Sequence, residues 1–430
     1  MINSEKSMDG YKKTKLGLIP EEWDVQSLMI ASKKLWIGLV TTMTTNYVDH
    51  GIPMIKNSDI NPMGIKSQSL IHLEKEFASK HSHRSFLKGD IATVHTGDVG
   101  VSAVIQKELE GAIGFATLNT RWDENKFFNK YVFYYFNSHR FLHTSVAFST
   151  GDGRQNLNLK DFRYFLIPKP SLKEQEKIAE ILSTWDEAIR KTEALIKKKE
   201  KLKKGLMQQL LHPKDNWETY QIKELFTFHR SISASRKDLV SESSSNDILN
   251  IHYGDVHTLF NDAIQLDVSE SENLNAFVDG YKLPNTVDYA RNGDVIIVDA
   301  SEDYEGVAEC FELTNIDEKT VTAGLHTFLL RPKAQKTVSG FRSLIFKAPV
   351  SRKEIKRLVT GSNVFGLSKT NLSKLEVSIP PKDEQKKIVN VLSFAEREIN
   401  DLVKLKEQQE YQKKGLMQQL LTGKTRVTVN

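Results

Sequence analysis

Two stretches of the chain carry the apolar spacing of long helices. Between 171 and 211, Ile178, Ile181, Leu182, Trp185, Ile189, Leu195, Ile196, Leu202, Leu206 and Leu210 recur at mixed three- and four-residue steps, the stripe of an amphipathic helix. Pro168 and Pro170 precede it, Ser171 with Glu174 three residues on forms a capping-box pattern, and Pro213 stands where the helix must stop. The stretch 382–421 has Ile388, Val391, Leu392, Ile399, Leu402, Leu405, Leu416 and Leu420 on a matching stripe, with Gly423 beyond it as a C-terminal cap. A helix of ~40 residues is ~60 Å long and needs a partner to cover its stripe. The pattern predicts an antiparallel coiled coil of the two helices, with a dimer through the same helices as the other arrangement. The remaining stretches, roughly 15–168 and 214–380, are mixed. Short β-type runs, Asp90-Ile91-Ala92-Thr93-Val94 and Asp294-Val295-Ile296-Ile297-Val298, follow Gly-Asp turns, and helical patterns fall near 130–142 and 352–359. Both stretches read as α/β domains, each large enough for its own core, with the strand order left open.

The helical stretches repeat each other. Lys203-Lys204-Gly205-Leu206-Met207-Gln208-Gln209-Leu210-Leu211 recurs unchanged as Lys413-Lys414-Gly415-Leu416-Met417-Gln418-Gln419-Leu420-Leu421, an offset of 210, and 174–211 against 384–421 share 18 of 38 positions. Weaker echoes continue the duplication: Ile167-Pro168 with Ile379-Pro380, Pro20-Glu21-Glu22-Trp23 with Pro213-Lys214-Asp215-Asn216-Trp217, Leu87-Lys88-Gly89-Asp90-Ile91 with Arg291-Asn292-Gly293-Asp294-Val295, and Ile55-Lys56-Asn57-Ser58-Asp59-Ile60 with Ile251-His252-Tyr253-Gly254-Asp255-Val256. Between these anchors the halves diverge almost completely. The chain therefore reads as four segments: a variable domain over 1–168, a helix over 169–212, a second variable domain over 213–380, and a second helix with its tail over 381–430.

Composition adds bounds. Hydrophobic residues at 39% and charged residues at 27% suit a globular protein of two or three domains, and no apolar run is long enough for a membrane helix. The polar first ten residues lack a secretory core, and a single cysteine, Cys310, leaves no internal disulfide or multi-cysteine zinc site, so a reducing, cytoplasmic setting is expected. The net charge of +5, from 60 Lys and Arg against 55 Asp and Glu, permits nucleic-acid binding without requiring it.

The order of these motifs, met twice, resembles the specificity subunit of type I restriction–modification systems along essentially the whole chain. The residues that carry the resemblance are Ile-Pro followed by Glu-Gln-x-x-Ile (Ile167-Pro168 with Glu174-Gln175-Glu176-Lys177-Ile178; Ile379-Pro380 with Glu384-Gln385-Lys386-Lys387-Ile388), the shared helix endings, and Ile19-Pro20-Glu21-Glu22-Trp23 near the start. The second half lacks the isoleucine before its Pro213, a departure at a repeat boundary. The resemblance implies two α/β target-recognition domains alternating with two long helices that pair as an antiparallel coiled coil. Each domain would read one half of a bipartite, asymmetric site on double-stranded DNA. The helices would set the gap between half-sites and dock two methyltransferase subunits, with two motor-nuclease subunits joining in the full complex. The chain itself would be non-catalytic, with no cofactor, no metal and no membrane partner.

The chemistry missing from the sequence points the same way. Gly423-Lys424-Thr425 ends like a phosphate loop, but Gln418 stands where its first glycine belongs. Asn61-Pro62-Met63-Gly64 lacks the second proline and aromatic of an amino-methyltransferase motif and reads as a turn, while Asp186-Glu187-Ala188-Ile189 is helix surface. His72, His81 and His83 read as polar surface or DNA contact rather than metal ligands, and Asp90 and Asp294 as turn-forming carboxylates.

Duplex binding calls for cations against phosphates and polar forks against base edges. Candidates in the first domain are Lys56, Asn57, Arg84, Lys88, Arg121 and the loop Gly151-Asp152-Gly153-Arg154-Gln155-Asn156. In the second they are Arg230, Ser231, Arg236, His252, Tyr253, Lys282 and the loop Gly361-Ser362-Asn363. A basic run, Lys197-Lys198-Lys199 with Lys201, Lys203 and Lys204, reads equally as phosphate contact and as a solvated helix face. A non-DNA coiled-coil scaffold with two protein-binding domains is the alternative function. It predicts weak, salt-insensitive DNA binding.

Overall fold

The computed structural model describes residues 10–429 except 152, 242–246, 261–262, 272–273, 317–318 and 334–335. The chain forms two compact units, Met1–Thr192 with Leu405–Asn430, and Glu193–Lys404.

In the first unit an antiparallel sheet runs in the order Ser102–Val104, Ile91–Val94, Thr117–Trp122, Ser32–Ile37. A second four-stranded sheet sets Ile113–Phe115 parallel to Ile52–Lys56. Its helical layer is Asn129–Phe136 and His139–Ala147, two helices where the sequence pattern suggested one, separated at Asn137-Ser138 because Ser138 caps the second by accepting from Phe141 N. The aromatic run of this region is core: Phe136 stacks on Phe141 with ring centres 4.2 Å apart, and Phe162 and Phe165 meet them edge-on or tilted.

The second unit repeats the plan. A five-stranded sheet has the order Phe226–His229, Thr327–Pro332, Val295–Val298, Cys310–Thr314, Gln265–Asp267, and a four-stranded sheet sets Thr320–Ala323 parallel to Ile248–Ile251. The four-residue run Val295–Val298 is wholly buried, as a central strand covered on both faces must be. Phe341–Lys347 and Pro349–Leu358 are the helices that correspond to the first unit's pair. The first went unread in the sequence because its seven residues are too few to show a period.

Each domain closes where it began. Asp24–Ser27 pairs antiparallel with Leu166–Lys169, and Glu218–Gln221 with Glu376–Ile379, so entry and exit lie side by side at the root of a long helix. The helices are Leu172–Leu210 and Lys382–Leu420, 39 residues each. In the first unit Thr192 bonds Gln409 and Asp186 pairs with Lys413, while in the second Lys199 pairs with Glu398 and Lys203 with Glu396. Numbers rise along one helix as they fall along the other, so the two are antiparallel. Ile178, Leu182, Ile189 and Ile196 form the buried seam at steps of four and seven, whereas Leu195 and Leu202 face outward.

The repeated Glu-Gln pair now has a physical cause. Gln175 Oε1 accepts from Phe128 N, while its Nε2 donates to the carbonyls of Lys126 and Pro170. Gln385 does the same with Val338 N and the carbonyls of Lys336 and Pro380, each partner shifted by the 210 residues of the repeat. Both side chains are buried and tie each long helix to backbone that has no secondary-structure partner. The preceding glutamates anchor what comes before. Glu174 accepts from Trp23 Nε1 at 2.9 Å and from Arg426 Nε at 2.8 Å, and Lys214 donates to Glu384, holding that carboxyl below its ordinary range. In the first unit Leu420 and Leu421 enter the same core as Ile19 and Trp23, the Tyr11 hydroxyl donates to Gly423 O, and Gly423 takes φ 73° with no room for a Cβ against Pro20.

Candidate nucleic-acid interface

The Gly-Asp turns set the geometry at the start of each central strand. Asp90 accepts from Leu87 N at 2.7 Å and Asp294 from Arg291 N at 2.9 Å, the turn role that their placement suggested. Gly89 and Gly293 stand at φ 88° and 87°, and a Cβ on Gly293 would lie 1.9 Å from Arg342 Nη1. Each aspartate also receives an arginine fork. Arg121 reaches Asp90 through Nε at 2.8 Å and Nη2 at 2.7 Å, and Arg331 reaches Asp294 through Nε at 3.1 Å and Nη2 at 2.8 Å. Bonding to Asp90 raises the Arg121 pKa above its ordinary value. Arg121, singled out as a DNA contact, thus has its fork occupied inside the domain, and its counterpart Arg331 lies in a sparse echo of the repeat, Gly114-x-x-Thr117-x-x-x-Arg121 recurring as Gly324-x-x-Thr327-x-x-x-Arg331.

At the other end of each central strand the two domains build one edge in the same way. Leu157 N donates to His95 O in the first, and Leu367 N to Asp299 O in the second. These bonds seat two glycine loops. Thr150 and Asn156 exchange backbone hydrogen bonds, as do Thr360 and Gly366. Gly151 and Gly361 lie at φ 121° and 129°, where a Cβ would strike Arg154 O at 2.4 Å and Val364 O at 1.9 Å, so both loops require glycine at this point. Beside them sit the turns Lys56-Asn57-Ser58-Asp59 and His252-Tyr253-Gly254-Asp255, each closed by its aspartate accepting from the first residue's N–H. The loops and turns identified as two separate sets of candidates in the sequence therefore come together at one edge of each domain.

The candidates differ in what their polar ends are doing. Arg154, Gln155, Ser362 and Asn363 are exposed on the loops, and Lys88 and Lys282 are exposed elsewhere. Asp152 lies outside the described residues. Arg230 is exposed with Nη1 on Thr286 Oγ1 at 2.7 Å, Ser231 and Tyr253 are half-buried, and Lys56 is half-buried 4.0 Å from Asp59. Others are engaged in the fold: Asn57 bridges His95 N and Ala116 O, Arg84 donates to the carbonyls of Ile37 and Gly38, Asn156 accepts from Thr96, and Arg236 pairs with Asp255. His252 is buried and caps its turn by accepting from Gly254 N. Burial lowers its pKa below the ordinary histidine value, and Arg236 adds to the shift.

Replacing Arg154 by alanine tests the first loop. If its guanidinium forks onto a guanine, specific affinity should fall by about 1–3 kcal/mol with preference relaxed at one base pair. A phosphate contact would instead weaken all sequences alike and flatten the salt dependence. Competition binding against single-base variants of the site separates the two, and no change in either quantity would return Arg154 to plain solvated surface.

Among the described residues there is no cluster of three or more His, Cys, Asp or Glu suited to a metal, and no helix long and apolar enough to cross a membrane. The model of the type I restriction modification DNA specificity domain matches the chain twice, at residues 41–203 and 214–412. The chain belongs to this family. A relative assigned as the MjaX specificity subunit of a type I restriction enzyme in Methanocaldococcus jannaschii is 26% identical over 440 residues, covering 97% of each chain. The EcoBI specificity subunit of Escherichia coli is 24% identical over 180 residues, covering 41% of this chain and 37% of its own. Among solved structures, the S subunit of a type I system from M. genitalium aligns over 93% of this chain and 96% of its own, with TM-score 0.53 and 14% identity. A chain from a study of complex assembly and conformational transition in a type I system aligns over 95% and 99%, with TM-score 0.57 and 17% identity. Members of the family share this fold: two mixed α/β domains in tandem with a pair of long helices.

Proposed function

We propose that this chain is the DNA-reading subunit of a type I restriction–modification complex, with each recognition domain, 1–168 and 213–380, reading one half of a bipartite, asymmetric site. The observation that carries the reading is the edge built twice. The same backbone bonds, the same glycine constraint and the same aspartate-closed turn hold two loops whose exposed side chains differ entirely. Constant scaffolds with divergent tips are what two readers of different sequences require.

Within this reading Lys56, Lys88, Arg154, Gln155, Arg230, Ser231, Tyr253, Lys282, Ser362 and Asn363 meet the duplex. Asn57, Asn156, Arg236 and His252 hold the edges that present them, and Arg84 and Arg121 have their guanidinium groups bound within the first domain. The helices dock two methyltransferase subunits, and two motor-nuclease subunits complete the restricting complex in the cytoplasm. The chain contributes recognition and leaves methyl transfer, ATP hydrolysis and cleavage to those partners.

Exchanging residues 15–165 for the equivalent segment of a relative should change one half of the methylated motif and leave the other intact, read by methylome sequencing of cells carrying the whole system. Both halves changing together would end the idea of independent readers. Salt-insensitive, sequence-blind binding by the assembled complex would favour a protein scaffold instead.

A further inference from the structure

The second domain's edge holds a residue under strain that residue type alone does not single out. His326 occupies the short passage between the strands Thr320–Ala323 and Thr327–Pro332, with φ 54° in the left-handed region. That conformation is uncommon for a residue with a side chain, and it persists only where the surroundings impose it. Here Asp299 imposes it from two directions. Asp299 N donates to His326 O at 3.0 Å, and Asp299 Oδ1 lies 3.2 Å from His326 Nδ1. The Tyr253 ring meets the imidazole edge to face with centres 5.4 Å apart. Asp299 O also receives Leu367 N, so one residue fixes both the histidine and the exit of the glycine loop. The imidazole is nevertheless 47% exposed.

The chemistry of the pair fixes what the exposed atom offers. A carboxylate accepts hydrogen bonds and donates none, so Nδ1 carries the proton, and in the neutral form of the ring Nε2 is then an acceptor. The first domain has Ala116 at the matching passage, also left-handed at φ 48°, with its carbonyl held by Asn57 Nδ2. The strained backbone is thus common to both domains, and the acceptor belongs to the second alone.

We propose that His326 is a specificity-determining residue of the second domain, its Nε2 accepting a hydrogen bond from the exocyclic amino group of an adenine or a cytosine, with Asp299 as the positioning residue that sets the tautomer. This rests on the DNA-reading function proposed above. In the major groove, adenine N6 and cytosine N4 are the donors that a lone acceptor selects, whereas guanine O6 and thymine O4 face it as acceptors.

The test uses the complex assembled with its methyltransferase subunits and duplexes in which each base pair of the second half-site is replaced in turn. His326→Ala suits it, because alanine removes the acceptor and Ala116 already holds the same left-handed backbone at the matching passage of the first domain. The wild-type complex should lose roughly tenfold in affinity when one adenine is replaced by purine, or one cytosine by 2-pyrimidinone, each lacking the amino group. The variant should show no loss at that base, and which analogue matters identifies the base. Asp299→Asn should weaken preference at the same base pair and at no other. Unchanged preferences in His326→Ala would overturn the proposal. So would an affinity loss equal for all sequences with a salt slope shallower by about one, the mark of a phosphate contact. If the wild-type complex prefers no sequence, the underlying function fails as well, and that arm reports it before any variant is made.

Discussion

Replacing Arg342 by alanine should destabilise the second unit by about 3–5 kcal/mol at neutral pH, the cost of leaving a buried charge without its partner. Glu312 is fully buried in the strand Cys310–Thr314. Its carboxylate accepts from Arg342 Nη1 at 2.8 Å, Ser339 Oγ at 2.8 Å and Gly340 N at 2.7 Å. Burial raises its pKa above the ordinary value of 4.5, and Arg342 is the strongest influence opposing that rise. An acid with a raised folded pKa costs nothing below its unfolded pKa, where it is protonated in both states. Its penalty grows as pH climbs from there to the folded value and then levels off. Removing Arg342 raises the folded value further and widens that window. The deficit of the variant should therefore be largest near pH 8 and shrink toward pH 5, where the buried acid takes up its proton. Denaturant unfolding at several pH values reads this directly. A deficit below 1 kcal/mol, or one independent of pH, would mean that the pair is not the buried contact described.

Gln385→Leu should cost about 3 kcal/mol or more. Leucine approximates the shape of glutamine but makes none of its three hydrogen bonds, so Val338 N and the carbonyls of Lys336 and Pro380 lose their partner together. Each buried group left unpaired costs about 1–3 kcal/mol. Gln385→Glu separates the components, since a carboxylate still accepts from Val338 N while it repels the two carbonyls. Gln175→Leu should repeat the effect in the first unit. Hydrogen exchange at Val338 and Phe128 in the respective variants checks the mechanism, because loss of the anchor must free that amide specifically. Intact protection there would show that the glutamines are not the anchor.

Both variants bear on what was legible in the chain. The long helices and the duplication were plain because they repeat over tens of residues, and the Asp90 and Asp294 turns because one pattern recurs before two apolar runs. The reason for the repeated Gln175 and Gln385 was hidden, since two of the three partners of each are backbone groups almost fifty residues away. The sheet order was hidden too: strands of three to six residues carry too few side chains to declare their neighbours, and parallel pairings join Ile113–Phe115 to Ile52–Lys56 in the first domain, and Thr320–Ala323 to Ile248–Ile251 and Cys310–Thr314 to Gln265–Asp267 in the second. Among the candidates, residue type alone selected Asn57, Arg84 and Arg121, whose polar ends the fold uses for itself. It passed over His326, whose interest lies in a backbone angle and in a partner 27 residues away.

The first unit is assembled from the two extremes of the chain, and this bears on the order in which the protein is made. A ribosome delivers Ile19 and Trp23 early, but their core also needs Leu420 and Leu421, which follow the whole of the second unit. The second unit, by contrast, draws on the continuous stretch Glu193–Lys404 and can close while the final segment is still being synthesised. The first domain to be translated is thus the last to be completed. Until the tail emerges, Trp23 and the neighbouring apolar side chains stay partly uncovered, and a nascent chain halted before residue 405 carries one finished domain and one that depends on chaperones or stays prone to aggregation.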